Sequence, residues 1–193
     1  MSQYELMQWL GLGAGAIVFA LIVRAIVRFV RALGRIWPDT AAKHGLTFVE
    51  EKDSKDGRSI ERQVLTGPSL LVVSSREQYF NQRTTSTRVV AKAPRLTASC
   101  LFDVNRQRPE ATLHLVTTGD AKFDGLRFVT TEFKEPARAL LTEPVRAALL
   151  ACPLHGLRVS CRPGEVTVSF GQLVTGIEEV EGAIQVALAI AKG

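Results

Sequence analysis

The pattern of hydrophobic and polar positions divides the chain into two parts. The N-terminal segment is continuously apolar, and in the longer region after it hydrophobic and polar residues alternate with the periods of strands and helices. From Leu6 to Val23 there are 18 consecutive uncharged residues, and about 20 apolar residues in a helix suffice to cross a hydrocarbon core of ~30 Å. The basic residues follow this segment, whereas a cleaved signal peptide carries them before its apolar run. The pattern therefore predicts a retained single transmembrane helix.

Helical periodicity continues beyond the apolar segment. At 100° per residue, four arginines fall within one narrow arc: Arg24, Arg28, Arg31 and Arg35. We expect the helix to run to Ile36, to break at Trp37-Pro38, and to be followed by a short helical turn from Asp39 to His44. The arginines, with Trp9 and Trp37, are predicted to contact lipid headgroups; recognition of one anionic lipid is the sharper alternative.

Two further expectations concern this anchor. The arginine excess after the span predicts a cytoplasmic C-terminal side by the positive-inside rule. Gly11 and Gly15 form a G-x-x-x-G spacing that permits close contact between two helices. The predicted organisation is thus an anchor over residues 1–37, with its basic helical extension, and a single cytoplasmic domain over residues 38–193.

The region after the anchor alternates as strands do, then returns to helical periods. Strands are predicted near residues 46–50, 60–66, 69–75, 84–92, 95–105, 112–117, 124–131, 157–162 and 166–170. The charged stretch from Glu50 to Arg58 is predicted as an exposed hairpin loop, and Pro163-Gly164 as a type II turn. Helices are expected from Pro136, from Glu143 to Leu150, and from a capping box of Thr175 and Glu178 to near the C-terminus. This order predicts an α+β fold, with a mostly antiparallel sheet covered on one face and a C-terminal amphipathic helix.

Charge and cysteine content narrow the classes of partner. The formal net charge is +5, but the four anchor arginines account for most of it, so the domain has no basic excess for a nucleic-acid backbone. Three cysteines are an odd number without a close repeat, which argues against a disulfide framework and fits a reducing compartment. We therefore expect no nucleic-acid partner.

Candidate chemistry is sparse. Asp120 and Asp124, with His114, could bind a divalent cation or share acid and base roles; the favoured alternative is that Asp and Gly here form a turn, with Phe123 in the core. Cys152, His155 and Cys161 have a partial zinc spacing but lack a second close pair. Neither a nucleophile motif nor a phosphate-binding glycine loop follows a predicted strand. We expect no catalytic set, no metal and no cofactor.

Two short patterns carry a family resemblance. Trp37, Ala41 and Gly45-Leu46 form W-x3-A-x3-GL, and the segment from Gly119 to Asp124 reads GD-x2-FD, with Phe128 following. The chain thereby resembles a group of uncharacterised, single-pass, membrane-anchored bacterial proteins. The resemblance implies a bacterial inner-membrane setting and a GD-x2-FD element that shapes the fold, and it implies no activity.

The favoured hypothesis is a membrane-tethered, non-catalytic binding or scaffolding module with a protein partner or with itself as partner. One alternative is a membrane-surface enzyme, a metal-dependent hydrolase that uses Asp120 and Asp124 with His114. Another is a lipid-binding domain of pleckstrin type. The sequence specifies neither the partner, a small-molecule ligand, the pathway nor the oligomeric state.

Overall fold

The computed structural model describes the backbone of residues 3–55, 58–80, 82–109, 114–172 and 174–193, and within these ranges the side chains from residue 18 onward. The chain divides into two compact units, Met1–Ile36 and Trp37–Gly193. The first unit is helical throughout its described residues. No described helix has an apolar stretch long enough to cross a membrane, and most of the predicted span from Leu6 to Val23 lies outside the described side chains.

The first helix, α1 (Gln3–His44), continues through Pro38, so the predicted break at this proline was wrong. Proline removes one backbone donor and crowds the carbonyl four residues earlier, which disfavours a helix by about 3 kcal/mol. Tertiary packing offsets this cost, because Trp37, Thr40 and Ala41 are all buried on one side of the last turns. A local sequence signal was thus overridden by burial.

The end of α1 was predicted correctly at Gly45. The backbone N–H of Leu46 donates to the Ala41 carbonyl at 2.8 Å, and that of Gly45 donates to the Ala42 carbonyl at 3.4 Å. Gly45 has φ +62°, the left-handed conformation that glycine adopts without steric cost. This is a Schellman motif, and it turns the chain directly into the first strand.

Among the residues that the structure describes, nine strands form one sheet in which every neighbouring pair is antiparallel, in the order β1-β2-β3-β4-β9-β8-β5-β7-β6. The strands are β1 (Thr47–Lys55), β2 (Arg58–Thr66), β3 (Leu70–Tyr79), β4 (Gln82–Ala93), β5 (Cys100–Asn105), β6 (Leu115–Val116), β7 (Phe128–Thr130), β8 (Gly156–Arg162) and β9 (Gly164–Phe170). The predicted α+β class with an antiparallel sheet is confirmed.

One face of this sheet is the core. A row of directly opposed residues crosses six strands from β2 to β5: Leu65, Val72, Val89, Val168, Val159 and Phe102. Every one of these side chains is at most 1% exposed. Directly opposed residues point to the same face, so this row is a continuous apolar surface that must be covered.

The described residues of the second unit also form four further helices: α2 (Ala121–Leu126), α3 (Lys134–Leu140), α4 (Glu143–Ala151) and the longer α5 (Ile177–Lys192). Helix α5 packs on β4 and β9, α4 packs on α5, and α3 packs on β5 and β6. The buried residues of α5 are Val180, Ala183, Ile184, Val186, Ala187 and Ile190. The helices therefore cover the core face and leave the opposite face of the sheet open.

The charged stretch from Glu50 to Arg58 is strand rather than loop for most of its length. Strand β1 pairs with β2 as far as Lys55 and Arg58, and β3 pairs with β4 as far as Tyr79 and Gln82. These distal parts are mostly exposed on both sides, so alternation of burial could not reveal them. Backbone pairing extends each strand beyond the part that has a hydrophobic signal.

The GD-x2-FD segment begins a helix, not the strand predicted from residue 124. Helix α2 occupies Ala121–Leu126, and β7 follows over only three residues, Phe128–Thr130. The predicted capping box of the last helix also does not form. Gly176 occupies the cap position of α5, while Glu179 rather than Glu178 accepts from the Thr175 backbone N–H at 2.7 Å.

Candidate functional site

The two carboxylates singled out by sequence bind their own turn. Asp120 caps α2 and accepts from the backbone N–H groups of Lys122 and Phe123, both at 3.1 Å. Its other oxygen accepts from Arg146 Nε at 3.1 Å. The Phe123 hydrogen bond contributes most to holding the pKa of Asp120 below its usual value, and Arg146 adds to this effect against the cost of burial.

The carboxylate of Asp124 is also fixed by several hydrogen bonds. Its carboxylate accepts from the Thr118 backbone N–H at 3.0 Å, from the Thr118 hydroxyl at 2.9 Å and from the Gly119 backbone N–H at 3.0 Å. Phe123 between the two acids is fully buried. The segment therefore closes the turn into α2 and anchors it to α4 through Arg146.

His114 does not join these acids in a metal centre. Its carbonyl accepts from the Thr131 backbone N–H at 3.0 Å, and its side chain lines a separate cleft with Leu101 and Phe133. Among the described residues, no group of three His, Cys, Asp or Glu side chains is placed to bind a metal ion.

The three cysteines are core residues. Cys100 and Cys161 lie directly opposite each other on β5 and β8, and Cys152 is fully buried after α4. Burial, followed by the neighbouring Cys100, raises the pKa of Cys161 to about 12. Because thiolates are the nucleophiles and metal ligands, these protonated thiols serve as packing groups.

The predicted anchor residues have different environments. Arg24, Arg28, Arg31 and Arg35 are exposed on α1, whereas Trp37 is only 4% exposed, so little of its surface is left for headgroups. Trp9, Gly11 and Gly15 lie outside the residues whose side chains the structure describes.

The open face of the sheet carries a feature that the sequence analysis missed. Leu101, Asp103 and Asn105 of β5 alternate with the buried Phe102 and Val104, and therefore project from the uncovered face. In the central row, Asp103 lies opposite Thr130 of β7 and Arg158 of β8, and Arg158 lies opposite Ser169 of β9.

Three adjoining clefts follow β5 along this face. We call them together the open-face trough: an end cleft of about 300 Å³ around Leu101, His114 and Phe133, a central cleft of about 530 Å³ around Asp103 and Arg158, and a further end cleft of about 540 Å³ around Arg106, Arg108 and His155. Asp103 and Thr130 line both of the first two clefts, while Asn105 and Gly156 line both of the last two. Neighbouring clefts therefore adjoin each other and share part of their walls.

The chemistry of the trough changes along its length. At one end the large apolar side chains Leu101 and Phe133 are 48% and 57% exposed. In the middle, Arg158 Nε donates to Asp103 at 2.9 Å, which neutralises both charges. The other end has two arginines and a histidine. A bound molecule with an apolar part and an anionic part would match this gradient.

Two sequence signals point to this trough. Leu101 is an apolar residue on the otherwise polar face of its strand, and the segment Asn105-Arg106-Gln107-Arg108 places two positive charges directly after the strand. Neither signal is specific by itself, because single exposed leucines and solvated charges are common on protein surfaces. Only the sheet order brings β7, β8 and β9 beside them.

Comparisons with known proteins give few matches. No protein-family model matches the chain, and no curated protein matches it. Among solved structures, it is similar to the crystal structure of the mycobacterial trehalose monomycolate transport factor A, TtfA, at 13% sequence identity and a TM-score of 0.48. That alignment covers 84% of this chain and 94% of the other. A similarity of this size assigns no function to the chain.

Proposed function

We propose that the chain is a membrane-tethered, non-catalytic binding module that holds its ligand or partner in the open-face trough. The observation that carries the proposal is the uncovered face of the sheet, with adjoining clefts that combine exposed apolar side chains with unpaired positive charge. Binding sites combine apolar surface with a few polar groups in this way. The acids that an enzyme would need are instead used in hydrogen bonds that hold α2.

The membrane tether is supported by the sequence and by the described part of α1. Leu6 to Val23 is uncharged, and between Val18 and Val30 the helix exposes many large apolar side chains on the sides away from the arginine arc. An exposed apolar surface of this kind favours a nonpolar environment. The arginines from Arg24 to Arg35 then favour an inner-membrane protein with its second unit in the cytoplasm.

Site-specific photo-crosslinking tests the binding role. A photoreactive phenylalanine analogue replaces Phe133 in the full-length chain in native membranes, and in a control chain it replaces Val49, which is 46% exposed on the edge strand β1. We expect a defined adduct from position 133 that is much weaker from position 49. Equal labelling from both positions, or none from position 133, would overturn the proposed site.

A second arm tests the tether. The full-length chain should remain with membranes after extraction with alkaline carbonate, because a spanning helix is released only by detergent. Quantitative release into the supernatant would overturn the membrane part of the proposal. The binding role of the trough would then depend on the crosslinking result alone.

A further inference from the structure

The basic end of the open-face trough has an excess of positive charge. Its cleft, of about 540 Å³, is lined by Asn105, Arg106, Gln107, Arg108, Pro109, His155 and Gly156. None of these lining residues is acidic. Within the described part of the chain, neither the Arg108 guanidinium nor the His155 imidazole has a hydrogen-bond partner, so both remain available to a ligand.

The buried guanidinium of Arg127 adds a third arginine charge next to this cleft. Arg127 is 3% exposed and donates to the carbonyls of Leu154, at 2.9 Å, and Cys152. Arg106 donates to the same Cys152 carbonyl at 3.1 Å. Burial, followed by the nearby charge of Arg106, lowers the pKa of Arg127, as expected where two cations lie together without a carboxylate between them.

Part of this arrangement has a purely structural explanation. Cys152 and Leu154 directly follow α4, and arginines commonly bind the free carbonyl groups at the end of a helix. That role accounts for Arg127 and for one nitrogen of Arg106. It accounts neither for Arg108 and His155 nor for the cleft that these side chains line.

Backbone hydrogen bonds connect the two segments that line the cleft. The Arg106 backbone N–H donates to the His155 carbonyl at 3.1 Å, which joins the two segments that carry the basic side chains. Asn105 and Gly156 are paired as neighbours of β5 and β8. A site that is held in place before binding loses less conformational entropy when a ligand arrives.

We infer that this cleft binds a phosphate group, with Arg108, His155 and the remaining donors of Arg106 around its oxygens. Guanidinium groups present paired donors that match phosphate geometry, and an anion here would also relieve the repulsion between Arg106 and Arg127. The inference rests on the proposed function in that it names the chemistry of one end of the trough. The group could belong to a soluble phosphate ester or to a phospholipid headgroup.

The test uses the full-length chain in nanodiscs of zwitterionic lipid. Inorganic phosphate and a short-chain phosphatidic acid, kept below its micelle concentration, are titrated while the thermal unfolding midpoint and the binding heat are measured. Potassium chloride at equal ionic strength controls for screening. Arg108→Gln is the test variant, and Arg76→Gln, an exposed arginine of β3, is the control with the same change in charge.

We expect both phosphates to raise the unfolding midpoint above the chloride control. Arg108→Gln should weaken their binding by about tenfold or more, since a charge-assisted hydrogen bond is lost, while Arg76→Gln should leave it unchanged. Equal affinity for the two compounds would indicate a soluble phosphate, and much tighter binding of the short-chain lipid would indicate a headgroup.

Two results would overturn the inference. One is a midpoint that responds to chloride as strongly as to phosphate, and the other is equal weakening by Arg76→Gln and Arg108→Gln. Either result, combined with a specific crosslink from position 133, would reject the phosphate site and leave the binding role in place. Loss of the crosslink as well would reject both.

Discussion

At the residue scale, buried polar groups rather than apolar contacts alone position the trough. Arg127 is a charged side chain in the core that reaches two backbone carbonyls after α4. It lies at the start of β7, so it connects that strand to the segment that carries His155. Sequence alone gave no reason to separate this arginine from the other basic residues of the chain.

We expect Arg127→Met to lower the free energy of unfolding by about 2 kcal/mol, because the Leu154 carbonyl loses its buried donor while the Cys152 carbonyl keeps the one from Arg106. Arg138→Met is the matched control. Arg138 is an exposed arginine that donates to the Thr117 carbonyl and to Glu135, and its loss should cost less than about 1 kcal/mol. Chemical denaturation of the full-length chain in detergent compares the two variants. Equal losses in the free energy of unfolding would contradict the proposed role of Arg127.

Asp120 gives the fold a pH dependence whose sign follows from its environment. The pKa of Asp120 is lowered on folding, so its contribution to stability is present above the unfolded pKa of about 3.9 and is lost as the pH falls through the folded pKa. The stability difference between the wild type and Asp120→Asn should therefore shrink below about pH 4. Unfolding midpoints measured from about pH 7 to about pH 2 test this, and a difference that grows on acidification would contradict it.

At the element scale, turns with left-handed glycines set where strands and helices meet. The hairpin of β8 and β9, whose outward residues line the central cleft, turns at Gly164 with φ +81°. The sequence predicted this turn from Pro163-Gly164, and the observed φ is the value that a type II turn requires at its third residue. The register of Arg158 opposite Ser169 depends on this turn.

Gly164→Ala should destabilise the chain by about 1 kcal/mol, because a residue with a Cβ is strained at this φ. Gly125→Ala provides a contrast. Gly125 lies within α2 without a positive φ, and an added Cβ would meet nothing within 4 Å, so alanine should be neutral or stabilising by up to about 1 kcal/mol. Thermal unfolding of both variants tests the pair, and a loss at Gly125 equal to that at Gly164 would argue against a conformational cause.

At the scale of the whole molecule, the proposed anchor would decide on which side of the membrane the trough lies. Replacing Arg24, Arg28, Arg31 and Arg35 by glutamine removes the positive charge that favours a cytoplasmic C-terminal side. We expect a C-terminal topology reporter to change from a purely cytoplasmic signal to a mixed one. Replacing four exposed arginines of the sheet, Arg58, Arg62, Arg76 and Arg88, should leave the signal unchanged, and a reporter unaffected by both changes would contradict the orientation.

The sequence determined those parts of the fold in which a local signal, such as a turn glycine or an alternating pattern, matches the burial in the folded protein. The end of α1 at Gly45, the hairpin at Gly164, the start of α4 near Pro144 and the alternating pattern of β5 were all predicted, because each rests on a glycine, a proline or a half-buried strand. Membrane insertion, too, is argued from sequence, through the uncharged run from Leu6 to Val23.

Only the tertiary structure decided the remainder. Packing of Trp37, Thr40 and Ala41 carries α1 through Pro38, and backbone pairing extends β1 to β4 past their hydrophobic signal. The trough itself depends on the sheet order, which brings β7, β8 and β9 beside β5 from distant parts of the chain. Residues far apart in sequence leave no local pattern of their proximity, and for that reason the predicted sites were single turns while the candidate site spans several strands.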